Sequence, residues 1–187
     1  MKDIGKWSIL KSEYLIRRPW LTARRDRVRL PNGTEYDEYY VLEYPDWINI
    51  IAITREGKML LERQYRHARR LVAYELPAGV IEKDESPLDA ARRELYEETG
   101  YTGGTWSHFM TLCPNSGTCT NVSYTFLATD VEKTSTQHLE ETEDIAVFEM
   151  SPDEVYRLLQ EGEFHQALMA APLWKFFSSS QKTDKEP

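Results

Sequence analysis

The sequence predicts an α/β protein with an N-terminal β-strand extension, and two observations indicate this fold class. The first 45 residues form short strand-like runs, and Asn32-Gly33 between two of them is a strong hairpin signal. From Ser86 onwards, capped helix patterns alternate with strand-like runs, which is typical of a mixed sheet packed between helices. We therefore expect an extension over residues 1–44, a main domain over 45–177 and a disordered tail over 178–187.

The composition is that of a globular protein and excludes several kinds of protein. The 187 residues suffice for one domain with a small extension, and no run of 18 apolar residues is present to span a membrane. The first residues lack the apolar core of a signal peptide, and two cysteines, Cys113 and Cys119, make neither a disulfide framework nor a zinc site. We expect a cytoplasmic protein without a membrane partner.

The net charge of −8 disfavours nucleic acid as a partner, because a nucleic-acid binder needs a basic surface. Arginines are nevertheless frequent over residues 17–29 and 63–70. We expect most of them to lie on solvated strand faces and a few to bind phosphate groups.

Strands and turns follow from the alternation of apolar runs and turn residues. In the extension, strands are expected over residues 7–16, 22–30 and 35–43. An apolar run over 48–54 is typical of a buried strand, and a turn leads from it into a paired strand over 58–65. Later strands are expected over 105–113, 121–129 and 145–150, with a patternless polar loop over 132–144.

Three helices are predicted from cap signals and apolar spacing. In the first, Ser86 is the N-cap, Asp89 completes a capping box and Gly100 stops the helix at its C′ position. The second begins at a later Ser-Pro pair. The third, over residues 167–177, is expected to break near Pro172, since proline removes a backbone donor and clashes with the preceding turn.

The first helix carries a cluster of carboxylates suited to a metal ion. Glu94, Glu97 and Glu98 share one helix face near the C-terminus, where they repel one another and oppose the helix dipole. We expect this face to be exposed, and a hard divalent cation such as Mg²⁺ to offset the repulsion. The alternative is an ordinary acidic surface helix whose charges pair with Arg92 and Arg93.

Residues 79–101 resemble the Nudix box in sequence and in spacing. The fixed positions are Gly79, Glu85, Arg93, Glu94, Glu97, Glu98 and Gly100. A chance match to all of them is on the order of 10⁻⁸ per start site, and only the final aliphatic position departs, being Tyr101. The resemblance implies a Nudix α/β/α sandwich with a mixed sheet. It also implies Mg²⁺-dependent hydrolysis of a phosphoanhydride bond, with Mn²⁺ as a substitute for Mg²⁺.

The same resemblance implies roles for individual residues. The metal ligands would be the carboxylates of Glu94, Glu97 and Glu98 and the backbone carbonyl of Ala78. Arg93 would orient these glutamates by ion pairing, and Glu85 would support the geometry of the loop and helix. Gly79 would let the backbone approach the metal because it has no Cβ.

Features outside the box resemble the ADP-ribose pyrophosphatase branch, which also acts on other nucleoside diphosphate sugars. They are the N-terminal strands, which resemble a dimerising extension, and residues 61–66, 74–79 and 140–145. The resemblance implies a homodimer in which Arg63 and Arg66 neutralise the phosphates of the substrate and Glu75 contacts it. Trp47 is a candidate for stacking on a base, although large aromatic residues more often lie in cores or interfaces.

The acidic loop over residues 140–145 is expected to supply the catalytic base. Attack on a diphosphate needs a water deprotonated near the metal, and a carboxylate on a mobile loop can approach that water from the open side. Glu141 and Glu143 are the candidates, with Glu141 slightly preferred, and Glu97 is the alternative if neither serves. An acidic surface loop without a catalytic role is the competing interpretation.

The expected reaction is hydrolysis of ADP-ribose to AMP and ribose 5-phosphate. Asn115-Ser116-Gly117 stands where the branch often carries Ser-Pro-Gly, so GDP-mannose or another nucleotide sugar is the alternative substrate. A non-catalytic module that senses a nucleotide sugar is a further alternative. It is disfavoured because such modules usually lose box carboxylates, and this chain retains all of them.

Overall fold

The structure, a computed structural model, describes residues 4–183 and divides into two compact units. The first unit is the chain up to Pro45 together with Cys113–Asn121, and the second is Asp46–Leu112 and the chain from Val122 onwards. The observed boundary after Pro45 therefore lies one residue from the predicted one. Residues 113–121 were expected in the main domain, but they belong to the first unit because they pair with its third strand.

The first unit is built on a three-stranded antiparallel sheet of β1 (Ser8–Arg18), β2 (Leu21–Arg29) and β3 (Glu35–Glu43). The turn from β2 to β3 contains Gly33 at a φ of 87°, which the Asn-Gly signal predicts. Residues 113–121 lie along β3, where the Leu42 N–H donates to the Thr118 carbonyl at 2.7 Å and the Leu42 carbonyl accepts from the Thr120 N–H at 3.1 Å. β1 is exposed along its whole length.

The second unit is a mixed sheet with helices on both faces, as the sequence predicts. Its strands are β4 (Trp47–Thr54), β5 (Met59–Arg66), β6 (Leu71–Glu75), β7 (Ala78–Val80), β8 (Tyr101–Leu112), β9 (Ser123–Lys133) and β10 (Ile145–Met150). Its helices are α1 (Pro87–Thr99), α2 (Pro152–Glu161) and α3 (Ala167–Thr183). The strand order is β10-β5-β4-β9-β8, with β4 parallel to β9 and the other pairs antiparallel.

Two hydrophobic clusters fill the space between the sheet and the helices. Ile50 on β4 packs in the cluster that contains Leu95 of α1, whereas its neighbour Ile51 packs in the cluster that contains Leu173 of α3. Successive strand residues face opposite sides of a sheet, so this alternation places α1 on one face and α2 with α3 on the other.

The sheet of the second unit opens at one end. β4 and β5 are paired at Ile53 and Met59, next to the turn that joins them, and then diverge. β6 pairs with the free side of β5, and β7 pairs with β4 at residues 47–49. These two short strands were not predicted, because neither carries a periodic pattern long enough to recognise. The opening between β4 and β5 is where the candidate site lies.

Helix α3 does not break at Pro172, contrary to the prediction. Proline cannot donate to the carbonyl four residues earlier, which belongs to Leu168. The buried side chain of Asn49 on β4 replaces that donor, since its Nδ2 lies 2.5 Å from the Leu168 oxygen. Its Oδ1 accepts from Thr125 Oγ1 at 2.7 Å, so the amide is satisfied on both sides.

Other element ends also differ from the prediction. β8 begins directly after α1, and β9 continues to Lys133, so the polar loop covers residues 134–144. Residues 178–183 of the predicted tail lie in α3, and residues 184–187 lie outside the described residues. Between residues 4 and 183, no helix is long and apolar enough to cross a membrane.

Candidate active site

Helix α1 is fixed at both ends, which sets the position of its carboxylates. Ser86 Oγ accepts from the Asp89 backbone N–H at 3.2 Å and donates to Asp89 Oδ2 at 2.7 Å, so the side chains bond to each other instead of completing the expected capping box. Gly100 ends the helix at a φ of 76°, and a Cβ there would lie 2.2 Å from the Ser135 carbonyl oxygen. Only glycine fits this position, as the sequence predicts.

Arg93 is fully engaged in holding the box together. Its Nε and Nη2 donate to Glu85 at 2.9 Å each, and its Nη1 donates to Glu94 at 2.9 Å and to Glu97 at 3.0 Å. Nη2 also donates to the Val80 carbonyl at 3.0 Å. The hydrogen bonds to Glu85, first, and the charge of Glu94 raise the pKa of Arg93. All five N–H donors are used within the protein, which suits a residue that orients carboxylates.

Of the three clustered glutamates, Glu98 is buried and Glu94 and Glu97 are partly buried, so the expectation of an exposed face is wrong. Glu98 is 5% exposed, and its Oε2 accepts from the Ala78 N–H at 2.9 Å. Burial raises the pKa of Glu94 and raises that of Glu98 well above its usual range. The side chain of Glu97 is 39% exposed. A Cβ on Gly79 would lie 2.0 Å from Glu94 Oε1, so this glycine makes room for the carboxylate itself.

Glu62 on β5 is a residue of the site that the sequence analysis did not single out. It is 3% exposed, and its Oε1 has no hydrogen-bond partner among the described residues. Glu75 of β6 lies directly opposite in the strand register. Burial, first, and the charge of Glu75 raise the pKa of Glu62 to about 8. The available signal was an acid at the end of the buried apolar run Met59–Leu61.

A cavity of about 610 Å³ opens between the diverging strands, in the size range of small-molecule sites. Trp47, Arg66 and Glu75, three of the four predicted substrate-binding residues, line it, as do Ala78 and Gly79 at the start of the box. Arg66 is held by Glu75 through two hydrogen bonds, one of them from Nε at 2.8 Å. The structure therefore brings these predicted residues to one place.

Arg63, the fourth predicted substrate-binding residue, does not line this cavity. Alternation along β5 places Arg63 on the sheet face opposite to Glu62 and Arg66. Its guanidinium lies 5.1 Å from the ring centre of Tyr74, which packs against the cluster under α2 and α3. Arg63 is therefore not among the residues that line the cavity, whereas Arg66 is.

On the polar loop at residues 134–144, Glu143 lies close enough to the box for its charge to act on the box carboxylates. The charge of Glu143 contributes to raising the pKa of Glu62, Glu94 and Glu98. Its Oε2 accepts from the Glu140 N–H at 2.9 Å, whereas Glu141 is exposed. The two candidate bases therefore differ in exposure, and Glu143 is the one partly buried.

The donors present fit a hard cation. In residues 4–183, no three His, Cys, Asp or Glu side chains are grouped closely enough to hold a metal ion as they stand, and Arg93 pairs with two of the three clustered glutamates. The available donors are nevertheless all oxygens, and one of them, Glu62 Oε1, is buried without a partner. An oxygen-only set that leaves room for substrate phosphates is what Mg²⁺ prefers.

Comparison with known proteins agrees with this geometry. Residues 44–171, well over half of the chain, match the NUDIX domain. The chain belongs to the Nudix family. Residues 7–42 match a second pattern, the nucleoside diphosphate sugar hydrolase N-terminal domain, which corresponds to the three strands of the first unit.

Relatives and a solved structure extend the Nudix match over most of the chain. The ADP-ribose pyrophosphatase of Bacillus subtilis (strain 168) is 31% identical over 144 residues, covering 76% of this chain and 77% of the relative. That of Saccharomyces cerevisiae is 36% identical over 163 residues, covering 76% and 71%. A crystal structure of an ADP compounds hydrolase matches all of both chains with a TM-score of 0.85 at 21% identity, which shows the shared fold.

We expect the thermal stability of the metal-free Nudix protein to fall as the pH rises from about 5 to 8. The pKa values of Glu62, Glu94 and Glu98 are raised in the folded protein, so it binds more protons than the unfolded chain does. Their contribution is complete below the unfolded pKa of about 4.3 and is lost as the pH rises through the folded values. Tm measured in EDTA across this range tests the expectation. The decline should be smaller in Glu98→Gln, and a Tm that rises with pH would contradict it.

Proposed function

We propose that this protein hydrolyses the diphosphate bond of a nucleoside diphosphate sugar, with ADP-ribose converted to AMP and ribose 5-phosphate. The observation that carries the proposal is the cavity that joins Arg66 and Glu75 to the start of a complete Nudix box. The pyrophosphatase relatives and the nucleoside diphosphate sugar hydrolase pattern support the same substrate class. Mg²⁺ is the proposed cofactor, with Mn²⁺ as a substitute.

The residues of the site have separate proposed roles in binding the metal, the phosphates and the base. A cation held by Glu94, Glu97, Glu98 and the Ala78 carbonyl would supply Lewis-acid polarisation of the diphosphate. Arg93 keeps Glu94 and Glu97 in place through its ion pairs. Arg66, oriented by Glu75, places a positive charge at the cavity wall for a phosphate. Trp47 offers a flat apolar surface in the same cavity for the base.

Proton transfer completes the reaction. Water attacks one phosphorus, its proton passes to a carboxylate of the polar loop, and the phosphoanhydride bond breaks to release the two monophosphates. Glu143 is the preferred acceptor because its charge already acts on the box carboxylates, and Glu141 is the second candidate.

A panel of nucleoside diphosphate sugars tests the substrate class. Release of nucleoside monophosphate is measured from ADP-ribose, GDP-mannose and UDP-glucose with Mg²⁺, Mn²⁺ or EDTA. We expect the highest kcat/KM for ADP-ribose and no release in EDTA. A higher kcat/KM for GDP-mannose would move the assignment to that sugar. Binding without release from any member would favour a sensing module.

We propose that the protein is a homodimer formed through the first unit. Its sheet exposes more aromatic and aliphatic surface than a small independent sheet usually does, and Trp20 is 78% exposed. The other exposed large residues of this sheet include Trp7, Tyr14, Leu15, Ile16, Tyr36 and Tyr40. A second copy of the chain would cover this surface.

Deletion of residues 1–43 is expected to give an aggregated or inactive protein. The deletion also removes β3, which holds residues 113–121 through Leu42. The pair Leu15→Ser and Trp20→Ser keeps β3 and should yield a monomer, which separates loss of the dimer from damage to that loop. Light scattering after size exclusion gives the mass of each. A well-behaved, active monomer after the deletion would show that the extension is dispensable.

We further propose a cytoplasmic location. Cys113 and Cys119 are both free thiols, although Cys113 is exposed. Exposed free thiols persist in a reducing compartment and tend to oxidise outside it. Fractionation of the native source would test this location.

A further inference from the structure

Glu62 occupies a place in the fold that an apolar side chain would be expected to fill. β5 buries four residues in succession, Met59, Leu60, Leu61 and Glu62. Leu60 and Glu62 face the same side of the sheet, and Leu60 packs in the core cluster under α1. An acid in the next position on that face is unfavourable unless something compensates it.

The surroundings do not compensate this acid. The charges of Glu75, Glu94 and Glu143 act against a charge on Glu62, whereas that of Arg66 acts in its favour. The charge of Glu62 in turn acts against that of Glu98. Arg66, however, gives its hydrogen bonds to Glu75.

Neither cation near the cluster reaches the buried pair of Glu62 and Glu98. Arg93 forms its ion pairs with Glu85, Glu94 and Glu97. Among residues 4–183, Glu62 and Glu98 form no ion pair, and the Glu98 carboxylate accepts a hydrogen bond from the backbone N–H of Ala78. Glu62 Oε1 has no hydrogen-bond partner among the described residues. The cluster has a deficit of positive charge.

We propose that Glu62 is a further metal ligand, which supplies its unpartnered oxygen from β5 to a divalent cation shared with Glu98. The inference rests on the metal site of the proposed function and adds to it a ligand from outside the box. It explains why a carboxylate takes a core position. Its oxygen would coordinate the cation from the strand side, while the box glutamates coordinate it from the helix side.

Metal binding and metal-free stability of Glu62→Gln and Glu62→Val test the proposal without substrate. Binding is measured with Mn²⁺ alone, by electron paramagnetic resonance of the free ion, and stability as Tm in EDTA. We expect at least a tenfold loss of Mn²⁺ affinity at one site, or the loss of one bound ion, in both variants. We expect Tm in EDTA to rise, because a buried carboxyl has been removed. Weaker Mn²⁺ binding together with a higher metal-free Tm is characteristic of a residue that binds the metal ion.

The matched control is Glu161→Gln, which removes an exposed carboxylate that pairs with Arg157 on α2. It changes the net charge equally and should leave Mn²⁺ binding unchanged. Wild-type affinity and stoichiometry in Glu62→Gln, or a lower Tm in EDTA with unchanged binding, would overturn the proposal. If that variant does not fold, Glu62→Asp replaces it, with weaker Mn²⁺ binding expected and wild-type binding overturning the proposal.

The outcomes also separate this inference from the proposed function. A wild-type protein that binds no Mn²⁺ and hydrolyses none of the nucleotide sugars would refute the proposed function. An active wild type whose Mn²⁺ binding matches that of Glu62→Gln would refute the role of Glu62 alone.

Discussion

Glu98→Gln is expected to abolish turnover and leave the fold intact. The substitution removes one negative charge from the proposed metal site, and loss of several kcal/mol of metal stabilisation corresponds to a fall of about 10³-fold or more in kcat. The glutamine oxygen can still accept from the Ala78 N–H, so the contact between α1 and β7 is retained. A neutral amide also costs less to bury than a carboxylate.

Circular dichroism and a titration of activity against Mg²⁺ measure the two parts of this expectation. Asp89→Asn is the matched control, because Asp89 lies on the same helix but in its exposed first turn. The control should keep its activity. Wild-type rates in Glu98→Gln at saturating Mg²⁺ would remove Glu98 from the set of metal ligands.

The second large effect is expected from the polar loop. Glu143→Gln should lower kcat by about 10²–10⁴-fold with little change in KM, the usual scale for losing a general base. The box glutamates are poor candidates for this role, because a cation that they bind would lower their basicity. A carboxylate from a separate loop avoids that loss.

Glu141→Gln is both the test of the second candidate and the control, since Glu141 is exposed on the same loop. We expect it to retain most of its kcat, and the double variant to resemble Glu143→Gln. A large loss in Glu141→Gln alone would restore the order of preference that the sequence suggested. If both single variants and the double variant keep a near-normal kcat, the base lies elsewhere, and Glu97 becomes the leading candidate.

Much of the site was predictable because its signals lie within one short segment of the sequence. The N-cap at Ser86, the stop at Gly100 and the spacing of Glu94, Glu97 and Glu98 are properties of a short segment, and the structure contains all of them. The sheet with helices on both faces followed from the order of patterns and from the family resemblance. The placement of Arg63 and Arg66 on opposite sheet faces was also predictable, because period-2 alternation along the strand separates them.

The remaining features depend on partners far away in the chain. Burial of Glu62 and Glu98 results from the packing of α1 against the sheet, which charge patterns on one segment cannot reveal. The continuity of α3 through Pro172 depends on a side chain of β4. Residues 113–121 join the first unit through backbone hydrogen bonds to β3, which carry no sequence signature.

The contact between Asn49 and α3 has a consequence for ligand selectivity. Asn49 and Leu168 both line the cavity, whereas Pro172 does not. In the structure, the amide nitrogen of Asn49 donates to the Leu168 carbonyl and to the Met169 sulfur, so this part of the wall offers a ligand little hydrogen-bonding capacity. An alanine in place of Pro172 would return a helical donor to Leu168 and release the amide to the cavity. We therefore expect the polarity of this part of the wall to depend on residue 172, which does not itself line the cavity.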